Sequence, residues 1–197
     1  MKNSKLLLLG LLGTMAFTSC DDKPKKEKMT EEETTIMPAT EMEDEPMAME
    51  LSVMMEPKSE STAKGEVMFV QEDDEVKMTA KLSGLEPGMH AIHLHEKADC
   101  SAADGKSAGG HWNPTNEKHG KWGDDEGYHK GDIGNFEADE DGNATVEFET
   151  DEWCIECEDD TKNIVGKGII VHQGEDDFTS QPSGDAGARV SCGGIIE

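Results

Sequence analysis

From about residue 48 onward, apolar side chains recur at every second position. Met49, Leu51, Val53 and Met55 alternate with Glu50, Ser52, Met54 and Glu56. Val76, Met78, Ala80 and Leu82 alternate with Lys77, Thr79 and Lys81, and Ala144, Val146 and Phe148 with Thr145, Glu147 and Glu149. A period of two places one side chain set on a core and the other in water, which predicts half-buried antiparallel strands. The apolar run Gly168-Ile169-Ile170-Val171 marks a core strand expected over Asn163 to His172. Turn signals such as Glu86-Pro87-Gly88 and Asp141-Gly142-Asn143 separate these stretches. No amphipathic helical pattern of useful length competes with them. The expectation is an all-β sandwich or barrel, and about 150 residues can bury one core of that kind.

The chain before residue 48 reads differently. Lys2 and Lys5 precede an apolar or small run from Leu6 to Phe17, followed by Thr18-Ser19-Cys20. An apolar stretch of about a dozen residues is too short for a transmembrane helix. It resembles a bacterial lipoprotein signal spanning residues 1–20, with Cys20 as the lipidated residue. That resemblance implies an exported protein, anchored by lipid in the cell envelope on a periplasmic or surface face. Residues 21–47 are polar and charged, without an aromatic residue, and read as a disordered acidic tether. The tether holds Met29, Met37, Met42 and Met47. Thioethers suit Cu(I), although a plain spacer is the favoured reading.

Charge narrows the function. The 44 acidic against 18 basic side chains give a formal net charge of −26. Nucleic acid is thereby excluded as a partner, since phosphate binding needs a basic face. Beyond Cys20 the cysteines are Cys100, Cys154, Cys157 and Cys192. An even number in an exported chain implies disulfides, with three connectivities open.

Two long stretches, 96–131 and 173–191, lack strand periodicity, and connections of that length are uncommon unless they serve a purpose. Six of the seven histidines lie in or beside them, His90 standing apart. In His93-Leu94-His95, residues two apart on a strand point the same way, about 6.7 Å apart along the chain. Both rings can then reach one metal while Ile92 and Leu94 face the core. His111, His119 and His129 follow at intervals of eight and ten, with Asp132 three residues later. Three imidazoles and a carboxylate suit a closed tetrahedral zinc site. His172 sits at the end of the buried run, at the mouth of a core strand.

These segments together resemble the copper/zinc superoxide dismutase family. Gly84-Leu85-Glu86-Pro87-Gly88-Met89-His90 leading into His93-Leu94-His95-Glu96 is similar to its first copper signature, and Ser107-Ala108-Gly109-Gly110-His111-Trp112-Asn113-Pro114 to its bridging-histidine segment. His129-Lys130-Gly131-Asp132-Ile133-Gly134-Asn135 resembles its zinc segment, and Gly187-Ala188-Arg189-Val190-Ser191-Cys192-Gly193 its C-terminal signature. The resemblance covers about residues 48–197. It implies a Greek-key β-barrel of about eight antiparallel strands with long metal-binding and electrostatic loops. It also implies copper on His93, His95, His111 and His172, and zinc on His111, His119, His129 and Asp132, so that His111 touches both metals. Asp176 matches the carboxylate linking a copper histidine to a zinc histidine, and Arg189 the cation that positions superoxide. Cys100 and Cys192 match the family disulfide, and His90 is structural. The implied activity is disproportionation of superoxide to oxygen and hydrogen peroxide by copper cycling between Cu(II) and Cu(I). A non-catalytic copper-binding or copper-delivery member is the alternative; a homodimer is compatible with the resemblance but not implied by it.

Two features depart from the family pattern. The stretch Gln173 to Ala188 carries no lysine but has Glu175, Asp176, Asp177 and Asp185, and residues 63–197 hold 31 acidic and 11 basic side chains, a net of −20. Steering of an anion is therefore expected to be local, from Arg189 with Lys121 and Lys130 as candidate neighbours. In Trp153-Cys154-Ile155-Glu156-Cys157, the acidic surroundings oppose a low thiol pKa. A local Cys154–Cys157 disulfide is expected there, rather than a redox or metal-binding role.

Overall fold

A computed structural model describes residues 48–196 of the 197-residue chain. The signal, Cys20 and the tether lie outside the described residues. Among the described residues eight strands form: β1 Met49–Pro57, β2 Lys64–Glu72, β3 Glu75–Ser83, β4 Gly88–His95, β5 Gly134–Ala138, β6 Ala144–Thr150, β7 Gly168–His172 and β8 Arg189–Gly194. The only described helical element is a 3₁₀ turn at Lys106–Ala108.

All pairings between these strands are antiparallel. Their order, β5-β4-β7-β8-β1-β2-β3-β6, is a nearly closed barrel whose seam lies between β5 and β6. The non-sequential neighbours β4/β7, β8/β1 and β3/β6 give the barrel its Greek-key order. The expected alternation holds along β3, where Val76, Met78, Ala80 and Leu82 are buried, and along β1 at Val53 and Met55. Val67 and Phe69 of β2 and Val146 of β6 complete that wall of the core.

The other wall is built differently. In β4, Ala91 through His95 are buried on both faces. Ile92 and Leu94 face the barrel core, while His93 and His95 are covered by the long connections. β7 is buried over its whole length but starts at Gly168, five residues later than Asn163. Asn163 instead forms an isolated parallel bridge with Cys154. The long connections are tied to β4 by backbone: Leu94 N–H donates to Gly131 O, Trp112 N–H to Leu94 O, and Gly131 N–H to Trp112 O. Three segments far apart in sequence thereby meet beside His93 and His95.

Candidate metal centre

Each histidine reaches the centre from a different constraint. His93 and His95 project from the same face of β4. His111 pairs with His95 as an isolated bridge. His129 and Asp132 form a tight turn in which Asp132 N–H donates to His129 O (3.0 Å) and His129 N–H to Asp132 Oδ2 (2.8 Å). A register shift at Val171/His172 sets His172 across from Arg189 of β8; such a bulge re-aims a side chain.

The result is two groups whose ligand atoms lie within 4.8 Å of one another: His93, His95, His111 and His172, and His111, His119, His129 and Asp132. All seven residues are buried. Every site histidine and aspartate expected from the sequence is therefore brought together, and His111 belongs to both groups.

The hydrogen bonds show which nitrogen each ring keeps free. His93 Nε2–H donates to Asp176 Oδ2 (2.7 Å), His95 Nδ1–H to Gly109 O (3.0 Å), and His172 Nδ1–H to Gly187 O (3.4 Å). His119 Nε2–H donates to Asp176 Oδ1 (2.9 Å). The remaining ring nitrogens, His93 Nδ1, His95 Nε2, His111 Nε2, His172 Nε2, His119 Nδ1 and His129 Nδ1, are buried without a hydrogen-bond partner. Buried polar atoms are rarely left orphaned. Six of them aimed into two small volumes fit two metal ions, with the outer nitrogen of four rings fixed by a partner, as metal-bound histidines require. His111 Nδ1 lies 2.8 Å from Asp132 Oδ1, so its two nitrogens serve the two groups separately.

Asp176 links the groups, and its place depends on Gly184. A Cβ at Gly184 would collide with Asp176 Oδ1 and come within 2.7 Å of His119 Nε2. The backbone there has φ of 68°, a conformation glycine adopts freely. Asn135 fixes Asp176 further: its amide donates to Asp176 O and its carbonyl accepts from Asp176 N–H, both at 2.8 Å. Asn135 stands in the zinc-like segment of the sequence, yet nothing in the pattern signals this contact. His90 has ring nitrogens 2.8 Å from His172 O and 2.7 Å from Glu86 O, a structural placement as expected.

The electrostatics divide the groups. Burial and the neighbouring histidines hold His95 and His172 well below the usual histidine range. Burial likewise lowers His111 to about 4 despite Asp132. These rings are uncharged at neutral pH, each with one nitrogen free of a proton, the form that ligates metals. Burial also acts to lower His119, but the carboxylates of Asp132, 3.0 Å from Nδ1, and Asp176, 2.9 Å from Nε2, outweigh this and raise it to about 9. Burial works to raise Asp132, and its contacts with His111, His119 and His129 overcome that, so it stays ionised.

A channel of about 730 Å³ opens onto the four-histidine group, lined by His95, His111, His172, Arg189, Glu96 and Lys106 among others. Arg189 donates from Nη1 to Gly105 O (2.9 Å) and from Nη2 to Gly109 O (2.8 Å), which fixes its guanidinium at the channel wall. Gly105 and Gly109 lie in the stretch that the Cys100–Cys192 disulfide fastens to β8, so loop and cation are secured together. The second disulfide joins Cys154 to Cys157 as expected. The expected cations Lys121 and Lys130 do not line the channel. Lys130 pairs with Glu152 on another face, because the tight turn that aims His129 inward turns Lys130 outward. Lys106 stands at the channel instead, its charge shared with Asp104 at 3.0 Å; neither a period nor a motif marked it.

Comparison with known proteins places this geometry. The family model for copper/zinc superoxide dismutase (SODC) matches residues 63–195. Crystal structures of an SOD-like protein from Bacillus subtilis are similar: a mutant with a tyrosine and a proline replaced by histidine has 33% identity and a TM-score of 0.67. The parent protein has 30% identity and a TM-score of 0.66. Each comparison covers 74% of this chain and 97% of the other. With two histidine groups sharing one ring inside a Greek-key barrel, the chain belongs to the copper/zinc superoxide dismutase family.

Proposed function

We propose that the chain is an active superoxide dismutase, with copper held by His93, His95, His111 and His172 and zinc by His111, His119, His129 and Asp132. The observation that carries this reading is His111, whose Nε2 is unpartnered toward the four-histidine group while Nδ1 faces Asp132. Four imidazole ligands suit copper, and three imidazoles with a carboxylate suit zinc. When bound, copper supplies the one-electron redox change that superoxide disproportionation needs, and zinc supplies fixed charge.

The residues divide the remaining work. Arg189 binds the incoming anion at the channel wall, its guanidinium oriented by the Gly105 and Gly109 carbonyls. His111 holds and delivers a proton at Nε2, its ring kept in place from the Nδ1 side. Asp176 orients His93 and His119 together, so the two groups keep a fixed relation. The long connections bury both groups and leave His95, His111, His129 and His172 at the channel wall. By its signal-like first 20 residues, the protein works exported and lipid-anchored through Cys20 in the cell envelope.

The test is metal content of the purified protein, with superoxide dismutation measured before and after selective copper removal. Stoichiometric copper and zinc, with activity lost and regained with copper, support the reading; fully loaded but inactive protein rejects it. The acidic surroundings and Glu96 at the channel favour a second reading, a non-catalytic copper-binding or copper-delivery protein. That reading requires loaded, inactive protein that transfers copper to an acceptor chelator.

A further inference from the structure

The Cys154–Cys157 disulfide lies outside both metal groups, and dismutation gives it no task. Its surroundings nevertheless lead to the zinc-side ligands. Trp153 is buried among Phe69, Trp122 and Phe148, and its indole N–H donates to Lys130 O at 2.8 Å. Glu152 accepts from the Tyr128 hydroxyl at 2.6 Å and pairs with Lys130 Nζ. Tyr128 and Lys130 are the two residues flanking His129. From the inner side, Gly131 N–H donates to Trp112 O. The ligand turn is therefore gripped between Trp112 on one side and Glu152-Trp153 on the other.

What holds Glu152-Trp153 is the loop that follows. Cys154 N–H donates to Lys162 O, Ile164 N–H to Cys154 O, and Ile155 N–H to Gln71 Oε1. Glu156, between the cysteines, has φ of 53°, a left-handed conformation that a side-chain-bearing residue keeps only where its surroundings impose it. Glu156 lies inside the ring that the cross-link closes. Cys154 is buried while Cys157 is partly exposed, so an external thiolate meets Cys157 Sγ first.

We infer that Cys154–Cys157 is a thiol-addressable latch and that Glu152 and Trp153 are positioning residues for the zinc-side turn; this rests on the zinc assignment above. The partner is a dithiol, small or carried by a reductase. One of its thiolates attacks Cys157 Sγ, the S–S bond breaks, and Cys154 leaves as a thiolate that takes a proton. The second thiol of the partner then displaces Cys157 from the mixed disulfide. The partner ends oxidised by two electrons and the protein holds two thiols. With the latch open, Glu156 relaxes, Trp153 loses its fixed approach to Lys130 O, and the turn carrying His129 and Asp132 loosens.

The experiment has two arms on the full exported domain loaded with copper and zinc. In the first, the protein receives a limited dose of dithiothreitol, then iodoacetamide, and the cysteine-containing peptides are weighed. Cys154 and Cys157 are expected to be labelled before Cys100 and Cys192; the reverse order overturns the latch. In the second, metal release to a chromophoric chelator is timed for wild type, Cys154→Ser/Cys157→Ser, Trp153→Phe and, as a core control, Val146→Ala. Zinc release should accelerate about tenfold in the first two variants, the low end of what outer partners of metal ligands contribute. Copper release should stay within twofold, and the control should leave both unchanged. Zinc release at the wild-type rate, or equal acceleration in the control, overturns the inference while leaving the zinc assignment standing. Wild-type protein that retains no zinc overturns both.

Discussion

Strands β1, β2, β3 and β6 and the half of the barrel formed by β4, β5, β7 and β8 with the long connections are held by different forces. The first half buries Val53, Val67, Phe69, Val76, Met78 and Val146 and turns Glu50, Lys77 and Glu147 to solvent. Its order comes from area removed from water, which other apolar side chains of similar size would supply. The second half buries seven histidines and two aspartates, which apolar packing alone would not tolerate. Each is satisfied by a named partner or left as a free nitrogen for a metal. The lesson is that one half tolerates substitution by volume, whereas in the other the identity of single atoms decides.

The sharpest way to break this contrast is to remove the shared ring. His111→Ala should abolish dismutation and weaken zinc retention more than about a hundredfold, beyond the range seen for outer partners of metal ligands. Dialysis against a competing chelator followed by metal analysis reads this, and the barrel should remain folded by circular dichroism. Asp176→Asn, which keeps the shape but weakens acceptance from His93 and His119, should cost about 10- to 100-fold in metal affinity.

Arg189→Lys separates catalysis from metal binding. A lysine cannot hold the Gly105 and Gly109 carbonyls as a planar fork, so kcat/KM should fall about tenfold, or 1.4 kcal/mol in the barrier. Metal content should not change. On the other half, Val67→Ala should lower unfolding stability by roughly 1–3 kcal/mol, measured by urea titration, with metal content and kcat untouched.

Zinc binding should also carry a proton signature. His119 at about 9 lies above its ordinary value, so the metal-free protein holds a proton there at neutral pH. Zinc displaces it, and zinc affinity should rise about tenfold per pH unit up to about 9. The metal-free fold behaves oppositely. A raised histidine pKa stabilises fully below about 6.5, and that contribution is lost as pH rises through about 9. Calorimetry in buffers of different ionisation enthalpy checks the first effect, and thermal melts of metal-free protein the second.

Much of the apolar half was legible from alternation alone: β1, β3 and β6 follow from single runs of residues, because a half-buried strand writes its burial directly into its sequence. β7 was legible as apolar, but its start was not, since Asn163 to Lys167 turn about a bridge to Cys154 that no periodicity reveals. The ligands themselves were legible through residue type and spacing. Their support was not. The Gly109 and Gly187 carbonyls that fix His95 and His172 are backbone atoms carried by any residue. Lys130 was misplaced at the channel because sequence proximity to His129 says nothing about which way the next side chain turns. Glu152 and Trp153 reach Lys130 from 22 and 23 residues away, a contact set by tertiary packing.

The most direct measurement of the central claim loads Cu(II) into both groups and records electron paramagnetic resonance. One imidazolate shared between the two ions couples their spins, so the spectrum should lose the intensity of isolated Cu(II), and His111→Ala should restore it. Two independent Cu(II) signals of full intensity in the unmodified protein would contradict a shared His111.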